Sequence, residues 1–186
     1  AAPTGRLPQR RTSRMSELEI VYYPDPILRR PTDRVAEIDD EIRDLIPDMI
    51  EAMHRVRGLG LAANQIGVSR RLALVSDTGE PGDERIVINP EIVSTEGAVA
   101  FEEGCLSFPG LLGLITRPER IEVRYTNLDG EEVLEKADGL LARCFLHEID
   151  HLDGILFISR MTPADRMRLK RPLKELEEEY SPKATR

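Results

Sequence analysis

The chain has 186 residues, 40% of them apolar and 32% charged, with no tryptophan and a formal net charge of −8. That length suits one compact domain with a real core, the composition shows no disordered or collagen-like bias, and the acidic balance speaks against a broad nucleic-acid-binding surface, which draws on clustered Lys and Arg. Two cysteines, Cys105 and Cys144, allow one disulfide at most, and a chain of this size folds without one, so both thiols are expected to be free in a reducing compartment. No run approaches the ~20 consecutive apolar residues needed to span a bilayer.

Residues 1–14 contain Arg6, Arg10, Arg11 and Arg14, two prolines and no acid. No apolar run follows them as a secretory signal would require, so they read as a flexible tail, either an expression scar ahead of Met15 or an Arg-rich transit remnant. The first reading puts the protein in a bacterial cytoplasm and the second in a plastid or mitochondrion. Residues 15–186 are read as one catalytic domain. Ile20-Val21-Tyr22-Tyr23 predicts a short strand stopped by Pro24 and Pro26. From Ile38 to Val56, apolar residues at 42, 45, 46, 49, 50, 53 and 56 recur at helical steps. Pro47 should kink or break that helix, and Gly58 and Gly60 should end it. Leu72–Val75, Ile86–Ile88 and Ile121–Tyr125 read as antiparallel strands between Gly, Pro, Asp and Asn clusters. Asn127-Leu128-Asp129-Gly130 turns the chain into a partner strand over Glu131–Glu135. Leu140–Leu152 is helical, with Gly154 as its stop, and a charged last helix covers about Pro163 to Tyr180 and contains Pro172. The predicted class is α+β, with antiparallel strands wrapped around the central Leu140–Leu152 helix and a C-terminal helix.

The strongest chemical signal lies on that central helix, His147-Glu148-Ile149-Asp150-His151. Residues four apart share a helical face, so both imidazoles can meet one metal while Glu148 reaches a water beside it. The competing reading is two histidines packed by chance on one helix, but the chain has only three histidines in all. A hydrolytic metal site needs a third protein ligand. Cys144 lies seven residues from His151, about 10 Å along a helix axis, too far to share a metal easily, and reads as a small apolar wall. Cys105, within Glu103-Gly104-Cys105-Leu106-Ser107-Phe108-Pro109, is the better ligand because Gly and Pro suggest an irregular edge that presents the thiol. A buried free cysteine is the alternative, and the residues alone leave both open. His54 reads as structural, a histidine in the last turn of a helix facing its dipole.

Gly58-Leu59-Gly60-Leu61-Ala62-Ala63-Asn64-Gln65, Glu103-Gly104-Cys105-Leu106-Ser107 and the HExxH helix resemble, in order and spacing, the three signature motifs of the peptide deformylases. The similarity runs from about Ile20 into the last helix, and Tyr23-Pro24-Asp25-Pro26-Ile27-Leu28-Arg29 with Ser107-Phe108-Pro109-Gly110 looks most like the type 1 branch of bacteria and plastids. The resemblance implies a metallohydrolase that removes the N-formyl group from the N-terminal methionine of new polypeptides. It implies Cys105, His147 and His151 as metal ligands, Glu148 as the proton carrier, and Gln65 with the Leu106 main-chain N–H as donors to the developing oxyanion. Leu59, Gly60, Glu103, Gly104, Leu140, Arg143 and Cys144 correspond to substrate-binding positions. Arg143 stands where several members carry an aliphatic residue, and Leu146 where many carry Gln. The usual metal of the family is Fe(II), one per chain, with Zn, Ni or Co as substitutes, and one thiolate with two imidazoles would also suit zinc.

The implied partners are N-formylmethionyl nascent peptides and a transient contact with the ribosome, and neither DNA nor a membrane. Arg166, Arg168, Lys170 and Arg171 in the last helix favour an RNA contact and Glu177-Glu178-Glu179 opposes it. Two other functions compete. An HExxH zinc protease usually takes its third ligand downstream of the second His, where this chain has neither His nor Cys. A structural metal site in a binding module would be closed by four ligands and would leave Glu148 without a task.

Overall fold

A computed structural model describes residues 18–181. The tail assigned to residues 1–14 lies outside the described residues. After a 3-10 turn at Pro26–Arg29, helix α1 (Asp40–Arg55) begins at Asp39, whose side chain accepts from the Ile42 N–H at 2.9 Å. Asp40 and Glu41 follow in the first turn and His54 and Arg55 close the last, the order that suits the helix dipole. Ile42, Ile46, Met49, Ala52 and Met53 form its buried face and pack on Leu61, Leu72, Leu74 and Ile88. The helix runs through Pro47 without a break. Pro47 and Arg43 are both on the exposed side, so the carbonyl of Arg43 that loses its donor can turn to water. The left-handed residue at the helix end is Arg57, with φ 54°, rather than a glycine. Its N–H donates to His54 O and the Gly58 N–H to Met53 O, so Gly58 closes the helix as expected, one position after the left-handed residue.

Five antiparallel strands form the main sheet in the order β1 (Gly60–Ala62), β2 (Leu72–Val75), β3 (Arg85–Glu96), β6 (Arg120–Thr126), β7 (Glu132–Asp138). The Leu72–Val75 strand is as predicted, β3 and β6 extend the predicted runs, and β7 begins one residue later than predicted and runs on to Asp138. Between β3 and β6 the register shifts around Asn89, which has φ 53° and binds both backbone groups of Val35 through its side-chain amide. β4 (Val99–Cys105) and β5 (Phe108–Arg117) form a separate two-stranded sheet, which the sequence reading did not anticipate. Cys105 therefore ends a regular strand, with a register shift between Gly104 and Cys105 supplying the expected irregularity.

Helix α2 (Gly139–Leu152) packs its Ala142, Phe145 and Ile149 side chains among Val75, Val87, Val123 and Tyr125. Burying Phe145 alone contributes on the order of 2 kcal/mol. Gly154, at φ 72°, ends the helix by donating to His151 O, and a Cβ there would overlap the backbone of Arg29 and Arg30. The predicted strand at Ile20–Tyr23 is not one. Its Val21 N–H donates to Gln65 O and its Tyr23 N–H to Ser107 O, so it bridges two separate segments instead of pairing along a single strand. The predicted last helix divides into α3 (Pro163–Arg168) and α4 (Lys170–Tyr180) at Leu169, not at Pro172. Pro172 falls in the first turn of α4, where a missing N–H costs nothing. Leu169 and Leu176 seat this end on Tyr23, Phe108, Leu156 and Phe157, and Tyr23 donates its hydroxyl to Glu177. No helix among the described residues is long and apolar enough to cross a membrane.

Candidate metal centre

Helical spacing places His147 and His151 one turn apart on α2, with ring centroids 5.0 Å apart. The end of β4 brings Cys105 to them from the second sheet. The ligand atoms of Cys105, His147 and His151 all lie within 4.8 Å of one another, and Cys105 Sγ is 3.2 Å from His151 Nε2. Cys144 stays outside this group and donates its thiol to Leu59 O at 3.1 Å. Burial, with the nearby Glu148 charge, pushes the Cys144 thiol well up, which keeps it protonated and inert.

The donor set suits a cation. One sulfur and two ring nitrogens converge from two elements, leaving room for a further ligand on the cleft side. Burial works against a charged His147, yet its hydrogen bonds to Cys105 and Glu103 outweigh this and push it up to about 10. Positive charge is favoured at that point, and a metal ion satisfies the same demand as the proton. His151 behaves oppositely, since burial and then the charges of His147 and Arg117 hold it well below the ordinary value and leave it neutral, as a ligand must be.

Glu103 organises the ground behind the ligands. Its carboxylate accepts Arg117 Nε at 2.6 Å and Nη2 at 3.0 Å, takes Arg143 Nη1, and faces His147 Nδ1 at 3.1 Å. Desolvation opposes its charge, but the hydrogen bonds from His147 and Arg117 prevail and lower it to about 2. Arg117 also binds Asp150, which is held from outside by Arg160. The sequence assigns Arg117 and Asp150 no role: Arg117 lies outside the motifs, and Asp150, although within the HExxH run, pairs with residues that no motif names.

Glu148 is 4% exposed, and its Oε2 is buried without a partner. Burial pushes its carboxyl up to about 7, with the cations of His147 and Arg117 working against the shift. A Cβ on Gly60 would overlap the Glu148 carboxyl, so glycine at that position makes room for Glu148 as well as for a substrate backbone. Gln65 is fixed by accepting the Ala62 N–H at 2.9 Å, and its Nε2 points to Ser107 Oγ at 3.2 Å and Cys105 Sγ at 3.8 Å.

A cavity of about 710 Å³ opens on this cluster. Gln65, Cys105, Leu106, His147 and Glu148 all line it, and His151 lies behind them, 1% exposed. The predicted substrate positions Leu59, Gly60, Glu103, Gly104, Leu140, Arg143 and Cys144 line it too. Two of these differ from a simple pocket wall. Glu103 is 6% exposed and committed to two guanidinium groups and His147, and Arg143 donates to Glu103, Ile115 O and Val99 O, so its charge faces the scaffold. Phe101, Phe108 and Leu112 also line the cavity and were not anticipated. The alternation of buried Leu111, Gly113, Ile115 and Arg117 would have revealed β5, had Leu112 and Leu114 between them not been apolar as well.

Residues 17–167 match the family model for polypeptide deformylase. A peptide deformylase of Acidobacterium capsulatum is 44% identical over 160 residues, covering 85% of this chain and 94% of that protein. One from Neisseria meningitidis is 44% identical over 161 residues, covering 87% and 96%. Among solved structures, a peptide deformylase from Legionella pneumophila superposes with a TM-score of 0.81 at 40% identity over 89% of this chain and 98% of that one. The Plasmodium falciparum enzyme gives 0.86 at 37% identity over 90% and 100%.

Proposed function

Since the chain belongs to the polypeptide deformylase family, we propose how its own residues divide the work of that reaction. The enzyme is a metal-dependent hydrolase that removes the N-formyl group from N-formylmethionyl peptides. The observation that carries the assignment of roles is the meeting of Cys105, His147 and His151 beside the unpaired Glu148 oxygen in one cleft.

Cys105, His147 and His151 hold the metal. The ion supplies positive charge that polarises the formyl carbonyl and acidifies water enough for attack near neutral pH. Glu148 takes the proton from the attacking water through its free Oε2 and delivers it to the amine as the C–N bond breaks, so water and amide become formate and a free amino terminus. Gln65 Nε2 and the Leu106 main-chain N–H donate to the oxygen that turns negative as the carbonyl carbon becomes tetrahedral. Leu59, Leu140 and Cys144 receive the methionine side chain, an unbranched thioether suited to an apolar wall, and Gly60 and Gly104 let the peptide backbone lie close. Glu103 and Arg143 shape this wall from behind. The ion in this reading is Fe(II), with Zn, Ni or Co as substitutes on the same nitrogen and sulfur donors. The enzyme works where formylated chains are made, in a bacterium the cytoplasm, and the basic residues of α3 and the start of α4 give a transient ribosome contact its charge.

The test uses anaerobically purified protein, formyl-Met-Ala-Ser and acetyl-Met-Ala-Ser, with metal content measured alongside. Formate should be released from the first peptide with one metal per chain, and acetate from the second far more slowly. Cys105→Ser should lose or change the metal, because a hydroxyl is a poor substitute for a thiolate, while Cys144→Ser keeps it. Equal metal in the two variants would overturn the place of Cys105, and equal rates on the two peptides would overturn the chemistry.

A further inference from the structure

The two imidazoles of the cluster are supported unequally. His147 Nδ1 faces Glu103 at 3.1 Å, whereas His151 Nδ1 is buried with no partner among the described residues. Metal-bound histidines ordinarily fix their ring by donating the second N–H to an acceptor. Asn64 steadies the same residue through its main chain instead. It is fully buried in the 3-10 turn Ala63–Ile66, directly before Gln65, and its Nδ2 donates to the main-chain carbonyl of His151 at 2.7 Å. Its Oδ1 is buried and unpaired as well. Of the three unpaired buried side-chain polar atoms among the described residues, one is the Glu148 oxygen and the other two belong to this single pair.

An amide buried with half of its capacity unused is costly in a packed interior, so an apolar residue of the same shape would suit mere packing better. We propose that Asn64 is a positioning residue for the metal centre. Its amide ties the turn of α2 that carries His151 to the turn that carries Gln65, through the bond from Nδ2 to the His151 carbonyl. The two halves of the site, metal and oxyanion donor, are thereby held at a fixed separation by one side chain. This rests on reading Cys105, His147 and His151 as the metal ligands.

The experiment compares wild type, Asn64→Ala and Asn64→Leu after metal removal and reloading with Co(II). Affinity is measured against a competing chelator, and the ligand-field and thiolate charge-transfer bands report coordination directly. Leu restores most of the volume that Ala deletes but not the hydrogen bond to the His151 carbonyl, so it remains informative if the Ala variant fails to fold. Both variants should bind Co(II) about 10- to 100-fold more weakly, shift the ligand-field bands, and lower kcat on formyl-Met-Ala-Ser with little change in KM. If Leu recovers wild-type affinity and spectrum, or if both variants lose only thermal stability, the role of Asn64 is packing and the proposal falls. A wild-type protein without a thiolate charge-transfer band would overturn the ligand assignment itself, a result visible before any variant is made.

Discussion

Glu148 separates holding a metal from using it. Its carboxyl, pushed up to about 7 by burial, sits beside the ligand cluster without joining it, and one oxygen remains unpaired. Glu148→Ala should therefore keep close to one metal per chain and lose roughly 10²- to 10⁴-fold in kcat, the usual worth of a positioned proton carrier. Atomic absorption beside a formate-release assay checks both halves, and loss of metal together with activity would make Glu148 a ligand or a structural residue. At this scale the sequence is legible wherever one helix fixes the geometry. His147, Glu148 and His151 need only the pitch of α2 to be placed, whereas Asn64, Arg117 and Asp150 gain their meaning from partners elsewhere in the chain, at 151, 103 and 117, and no local pattern announces those pairings even where the residue itself stands in a motif.

The β4–β5 hairpin is the element the sequence concealed, and it forms much of one wall of the cleft. Val99 and Phe101 share a face with the buried Glu103 and Ile115 while Leu112 and Leu114 lie on the opposite face, and Phe101 is 58% exposed, so both faces carry apolar residues and the two-residue alternation that marks a half-buried strand is erased. The helices read more easily, because their apolar faces are uninterrupted and Gly58 and Gly154 mark the ends of α1 and α2; the division of the last helix at Leu169 carries no sequence signal. Arg143 clamps the hairpin to α2 by reaching Val99 O on β4 and Ile115 O on β5 while paired with Glu103, and its guanidinium lies 5.7 Å from the Phe101 ring. Arg143→Met should loosen this wall, at a cost of about 1–3 kcal/mol for the lost charged hydrogen bonds, and raise KM for formyl-Met-Ala-Ser more than it lowers kcat. Because its donors are spent on the scaffold, formyl-Asp-Ala-Ser should be a poor substrate for wild type and variant alike. A wild type that cleaves the aspartyl peptide well, and loses that ability in Arg143→Met, would show that the guanidinium serves the cleft instead.

Across the whole molecule, the β4–β5 sheet and α2 are joined by a chain of charges that runs inward from the exposed Arg160 through the buried Asp150 and Arg117 to Glu103. Glu103 is held at about 2 against an ordinary 4.5, so the folded state favours its ionised form. For a depressed carboxylate the stabilisation is fully present above the ordinary value and disappears as the pH falls through the depressed one. The metal-free protein should accordingly lose thermal stability between about pH 4.5 and pH 2, and Glu103→Gln should be less stable at pH 7 but show a shallower decline over that range. Thermal melts across a pH series check this, and parallel slopes for the two proteins would remove Glu103 from the account. The meeting of Cys105 and the α2 histidines has one more consequence, which concerns the unfolded chain. A cation bound to residues so far apart in sequence closes a long loop of polypeptide, as a disulfide between the same elements would, and a covalent staple of that kind is worth on the order of 3–5 kcal/mol through the freedom it denies the unfolded ensemble. The ion that serves the reaction is thus also a reversible topological lock, and the enzyme's endurance rises and falls with the supply of metal around it.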